Sequence, residues 1–131
     1  MARVVITGRI PAIAVEHLRA QHDVVSWDEP VAITREELLK RVKGADAIVS
    51  LLTEKVDAEL LDAAGPQLKV VSNVAVGYNN IDVPACKERN VLVTNTPGVL
   101  TEATADIAMA LILMSTRRLA EGERVIRKQE P

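Results

Sequence analysis

Val70-Val-Ser-Asn-Val-Ala-Val-Gly-Tyr-Asn-Asn-Ile-Asp82 is the stretch whose reading decides the fold. A run rich in β-branched residues reaches Val76 and stops at Gly77, and the Gly and two Asn that follow can take the backbone through positive φ. The pattern predicts a buried strand over 69–76 that enters a tight loop. In an open parallel α/β sheet, ligands bind beyond the carboxyl ends of the strands, where successive amide N–H groups can form an anion-binding nest. Val76 and Gly77 are therefore candidate holders of a small carboxylate. The alternative is a plain strand-to-helix connection in which Gly77 serves geometry alone.

Working outward, further strand-like runs lie at 3–6, 23–26, 47–52 and 91–94, separated each time by a helix-like segment. A leucine-rich solenoid could also give such a period, but no segment carries the required Leu and Asn spacing. Alternating βα units with near-continuous apolar strands predict a parallel sheet covered by helices on both faces.

The first helix opens at Pro11 and places Ala14 and Leu18 on one face. Thr34-Arg-Glu-Glu37 reads as a capping box, with Thr34 as cap and Glu37 reciprocating. A helix over 58–64 is closed by Gly65-Pro66, and Asp82-Val-Pro84 opens a short helix running to Arg89. The strand at 47–52 brings Leu52 to the same sheet edge as Val76 and Gly77, where it lines either a ligand pocket or the core. Thr101 is expected to cap one long helix reaching Lys128, about 40 Å at 1.5 Å per residue. Its segment Ile107-Ala-Met-Ala-Leu-Ile-Leu-Met114 is apolar around the whole circumference. That helix would exceed its own domain and invite a second copy to pair with it.

The remaining chemistry is sparse. With 16 basic and 18 acidic residues the net charge is −2, which gives no field for nucleic acid or an acidic membrane. The apolar segment is too short to span a bilayer and is followed by Arg117-Arg118. His17 and His22 fall in or just beyond the first helix, away from strand carboxyl ends, and read as solvated helix-end residues. Trp27 reads as a cover for a sheet edge. The lone Cys86 has no neighbouring His or Cys, so it reads as a packed thiol in a reduced, cytoplasmic protein. Glycines at 8, 44, 65, 77, 98 and 122 have neither dinucleotide-binding nor P-loop spacing, and no metal-ligand spacing is present.

Three motifs, taken together, identify a family. Asn73-Val-Ala-Val-Gly-Tyr-Asn-Asn-Ile-Asp82, Val93-Thr-Asn-Thr-Pro-Gly98 and Leu100-Thr-Glu-Ala-Thr-Ala-Asp106 resemble, in order and spacing, the D-isomer-specific 2-hydroxyacid dehydrogenases, most closely the glyoxylate and hydroxypyruvate reductases. The resemblance covers the whole chain, Thr7-Gly-Arg-Ile-Pro11 included. It implies an α/β, flavodoxin-like three-layer fold with a five-stranded parallel sheet in the order 2-1-3-4-5 and a long C-terminal helix. It further implies that 1–100 is a substrate-binding domain and 101–131 an element between domains and subunits, with homodimerisation through 101–128. The Rossmann domain, with its glycine fingerprint and catalytic Arg, Glu and His, would lie beyond Pro131 before the chain returns to complete the substrate domain.

By the same resemblance, Val76 and Gly77 donate amides to the substrate carboxylate, Leu52 walls the pocket, and Thr104 lies near the nicotinamide end of the cofactor. NAD or NADP would serve the intact enzyme, with none bound to this chain and no catalytic residue within it. The substrate would be a small 2-oxoacid such as glyoxylate or hydroxypyruvate. The competing reading is a stand-alone flavodoxin-like module that binds a small anion or a partner chain without catalysis.

Overall fold

The computed structural model describes residues 1–128. They divide into two compact units, Met1–Pro97 and a second from Gly98 onward. The first holds five strands, β1 (Arg3–Ile6), β2 (Asp23–Ser26), β3 (Ala47–Ser50), β4 (Val70–Asn73) and β5 (Leu92–Thr94), all parallel and in the order β2-β1-β3-β4-β5. Helices α1 (Ala12–Arg19), α2 (Arg35–Arg41), α3 (Ala58–Ala64) and α4 (Val83–Glu88) make the crossovers. The expected fold class and strand order are therefore present.

The faces of the sheet are covered unequally. Val5, Ile48 and Val71 point to the side of α2, α3 and α4, where they pack with Leu38, Leu60, Leu61 and Cys86. Val4 and Ile6 point to the other side and meet Val15 of α1. No other helix of this unit covers that side, and a 750 Å³ groove runs along it past Ala47, Val49, Val70, Ser72 and Thr94.

Most local signals hold, with instructive departures. Thr34 caps α2, its Oγ1 accepting from the Glu37 amide at 3.3 Å. Glu37 does not reciprocate, because its carboxylate takes the Arg41 guanidinium one turn later at 2.6 Å. Asp57 caps α3 and Asp82 caps α4, each accepting the amide three residues on. Gly65 ends α3 at φ 105, where a side chain would be strained. Trp27 follows edge strand β2, donating from its indole to Val31 O at 2.8 Å under the Arg41 guanidinium, 5.0 Å from the ring centroid. Cys86 is fully buried in α4, and burial, followed by the nearby Asp82 charge, pushes its thiol pKa up.

The second unit corrects the expectation of one long helix. It contains α5 (Thr101–Thr116) and α6 (Leu119–Lys128), separated at Arg117 and Arg118. Arg118 adopts φ 52, a left-handed conformation that no Gly or Pro announces and that ends the α5 hydrogen-bond ladder. The 40 Å rod is thus not formed. Thr101 is the first helical residue, not the cap: Leu100 occupies that place without a side-chain capping bond. No side chain of α5 or α6 is buried within the unit. Residues 129–131 of the expected C-terminal element lie outside the described residues.

Candidate binding site at the carboxyl edge of the sheet

β3 and β4 are neighbours in register, Ser50 opposite Asn73, and both end there rather than at Leu52 and Val76 as the apolar runs suggest. The strands stop because their last side chains turn into a buried polar network. Asn73, fully buried, accepts from Ser50 Oγ at 3.0 Å. Its amide faces that of Asn80, each Nδ2 reaching the other's Oδ1, at 3.0 and 3.3 Å. Asn80 Nδ2 also reaches Leu51 O at 3.1 Å and Glu54 O at 3.0 Å. A buried amide costs free energy unless its donors and acceptors are met, so this pair fixes the loops after β3 and β4 relative to each other.

Glu54, 6% exposed, performs the same service toward β1. Its Oε2 accepts from Thr7 Oγ1 at 2.6 Å and from the Leu51 amide at 2.8 Å, and Oε1 accepts from Thr53 Oγ1 at 2.5 Å. Gly8 completes the approach, since a Cβ there would collide with the Leu51 side chain. Leu51 is thereby held inward while Leu52 stands out at the edge, 65% exposed.

The loop after β4 has an unusual hydrogen-bond pattern. Ala75 O accepts from the Thr96 amide at 2.9 Å, Val76 O from Asn95 Nδ2 at 2.7 Å, and Gly77 O from Asn73 Nδ2 at 3.0 Å. The N–H groups of Val76, Gly77 and Tyr78 find no acceptor among the described residues. Val76 is 43% exposed, so these donors are not sealed in the core. Backbone N–H groups are obligatory hydrogen-bonding groups, and adjacent free ones suit an anion.

Three of the sequence-derived site residues, Leu52, Val76 and Gly77, thus lie in the loops that follow the adjacent strands β3 and β4. No residue from 74 to 82 has positive φ, so the loop is not the alternating right- and left-handed turn of a compact nest. Gly77 matters instead for its bare Cα, beside which Asn79 Oδ1 already sits 3.3 Å from where a Cβ would stand. Thr104 lies in the first turn of α5, its amide bonded to Leu100 O at 2.9 Å, and is described with that unit. Sequence reasoning missed Thr7, Glu54, Asn73, Asn80 and Asn95. The available signal was polar residues closing otherwise apolar strands, Asn73 after Val70-Val-Ser and Asn95 after Val91-Leu-Val-Thr.

Among the described residues no group of His, Cys, Asp and Glu could hold a metal, and no helix is long and apolar enough to cross a membrane. A dinucleotide does not fit the residues present: the one glycine after β1, Gly8, stands alone and packs against Leu51.

The family model for the catalytic domain of D-isomer specific 2-hydroxyacid dehydrogenases matches residues 4–122. The chain belongs to that family. It is 46% identical over 128 residues to a glyoxylate reductase of Thermococcus onnurineus, a match covering 98% of this chain and 38% of that enzyme. Its fold superposes with a TM-score of 0.87 on a Thermus thermophilus protein at 39% identity, covering 96% of this chain and 40% of the other. An NADPH-dependent glyoxylate/hydroxypyruvate reductase from Sinorhizobium meliloti, solved with NADP and malonate, matches at 31% identity and a TM-score of 0.73 over 97% of this chain and 38% of its own. The chain therefore spans less than half the length of these family members.

Proposed function

We propose that this chain is the substrate-holding portion of a cytoplasmic, nicotinamide-dependent reductase of small 2-oxoacids such as glyoxylate or hydroxypyruvate. The observation that carries the reading is the pair of unsatisfied amides at Val76 and Gly77, with exposed Leu52 in the loop after the neighbouring strand, at the sheet edge where α/β folds bind ligands. The 2-oxoacid carboxylate accepts from both amides, and Leu52 walls the apolar side. The Sinorhizobium relative was solved with the small dicarboxylate malonate, in keeping with a carboxylate ligand. Residues 1–100 form the substrate domain in this reading. The bare half of the sheet is where a later segment of the longer protein would return, and Thr104 is assigned to the nicotinamide end by resemblance alone.

The dinucleotide, NAD or NADP, and the groups that transfer hydride and proton come from a Rossmann domain outside this chain, so the chain alone is a carboxylate-binding module without turnover. With no cationic side chain between Val74 and Asn80, affinity rests on amides in open water and is on the order of millimolar or weaker. Titration of the 131-residue chain with oxalate, followed by amide NMR, tests this. Shifts concentrated at 76–78, with no NADH or NADPH oxidation when glyoxylate is added, are expected. Shifts spread evenly over the surface would reject the site, and turnover near that of an intact reductase would reject the module description.

The expected partner is a second copy. The unbroken apolar surface of Ile107 to Met114 on α5 now carries that expectation alone, without the extra length of a single rod. Leaving such side chains wet forfeits about 1.5 to 3 kcal/mol each. Light scattering across a dilution series should show a dimer that Leu111→Glu dissociates. A monomer at high micromolar concentration would reject it.

A further inference from the structure

We propose that Asn95 is a positioning residue for the carboxylate-binding amides, acting by fixing the plane of the peptide that joins Val76 to Gly77. The inference rests on the carboxylate reading of that loop. In a trans peptide the C=O and N–H point in opposite directions within one plane, so a hydrogen bond to the oxygen aims the hydrogen. Asn95 Nδ2 donates to Val76 O at 2.7 Å and so directs the Gly77 N–H away from β5. The Thr96 amide, 2.9 Å from Ala75 O, directs the Val76 N–H in the same manner. Asn73 Nδ2, 3.0 Å from Gly77 O, directs the Tyr78 N–H. Three successive carbonyls are tied to the framework while the three amides they aim have no acceptor among the described residues.

The clamp is needed because the loop does not hold these planes by itself. None of its residues has the positive φ that would lock a nest, and Gly77 lacks the Cβ that restricts its backbone. A flip of the Val76–Gly77 peptide would exchange a donor for a carbonyl oxygen and turn attraction for an anion into repulsion. Donors aimed before the ligand arrives need no reorganisation when it binds. Of the three clamps, one is main chain and one is the fully buried Asn73 on which Ser50 and Asn80 also depend. Asn95, half-buried, has Val76 O as its one side-chain partner among the described residues and can be altered without dismantling that network.

Asn95→Ala and the isosteric Asn95→Asp, each lacking the donor, test this in the full 131-residue chain. Residual dipolar couplings report the Gly77 N–H direction without ligand, and oxalate is the probe for binding. Both variants should keep the wild-type couplings of β1 to β4 while the Gly77 coupling changes. Oxalate affinity should fall about tenfold in Asn95→Ala, the size expected for losing one aimed hydrogen bond, and further in Asn95→Asp, which adds a like charge. An unchanged Gly77 coupling, or a changed coupling with unchanged affinity, would overturn the role of Asn95. Wild-type protein that gives no oxalate shifts at 76–78 would instead overturn the carboxylate reading, and the coupling measurement would separate that failure from the first.

Discussion

The two faces of the sheet are built from the same five strands yet carry different shares of the stability. Toward α2, α3 and α4 the buried cluster has fifteen residues; toward α1 it has three, Val4, Ile6 and Val15. Successive strand residues alternate between the faces, so Ile48 and Val49, one peptide apart, live in different environments. Ile48 is fully buried on the α2–α4 side, whereas Val49 is partly buried along the groove. Parallel sheets are normally covered on both faces. The difference teaches that α2–α4 packing carries Met1–Pro97, while the face toward α1 contributes little.

The contrast is sharpest in paired truncations. Ile48→Ala should cost about 2–5 kcal/mol, the usual range for a buried aliphatic reduced to Ala, and would show as a large drop in the urea midpoint. An equal loss from Val49→Ala, expected to cost less than about 1 kcal/mol because the side chain already meets the groove, would break the comparison.

Between these lies the polar rim of the sealed face. Arg35 on α2 reaches Asp57, Glu59 and the Lys55 carbonyl, joining α2 to the start of α3. Burial pushes the Asp57 pKa up, but hydrogen bonds from Arg35 and the Leu60 amide, with the Arg35 charge, outweigh it and leave the carboxyl below its ordinary value. Asp57→Ala should cost about 1 kcal/mol at neutral pH through the lost cap. A depressed folded pKa stabilises above the unfolded value, near 3.9, and that contribution fades as pH falls through the folded value. The gap between wild type and Asp57→Ala should therefore narrow in acid. A gap constant from pH 7 to pH 2 would show that the ion pair contributes nothing.

Legibility followed the same division. Local signals placed β1, β2 and α3 residue for residue, because short apolar runs and the Gly65-Pro66 stop act within a few positions. The sheet edge that carries Val76, Gly77 and Leu52 was legible, since the apolar runs at 47–52 and 69–76 place two loops at the same carboxyl edge, although the strands themselves end at Ser50 and Asn73. Its supports were not. Thr7, Glu54, Asn73, Asn80 and Asn95 bond across loops and strands that lie far apart in the chain, so a polar residue closing an apolar run could mark a strand end but not name its partner. The break at Arg118 had no signal either, because Arg is an ordinary helix former and its left-handed backbone is a tertiary or local accommodation that composition does not encode. Glu37 failed to complete its capping box for a related reason: two partners competed, and Arg41 supplied the charge.

The pairing register bears on how this protein emerges from a ribosome. Each new strand joins a strand already made, with partners about 20 residues apart for β1–β2, β3–β4 and β4–β5 and about 43 for β1–β3. Among the described residues, no strand pairing waits for chain beyond Thr94. Closure of such modest loops is entropically cheap, and elements translated first generally fold first. The amides of Val76 and Gly77 are therefore clamped as soon as Asn95 and Thr96 clear the exit tunnel, before any residue of the second unit has left it.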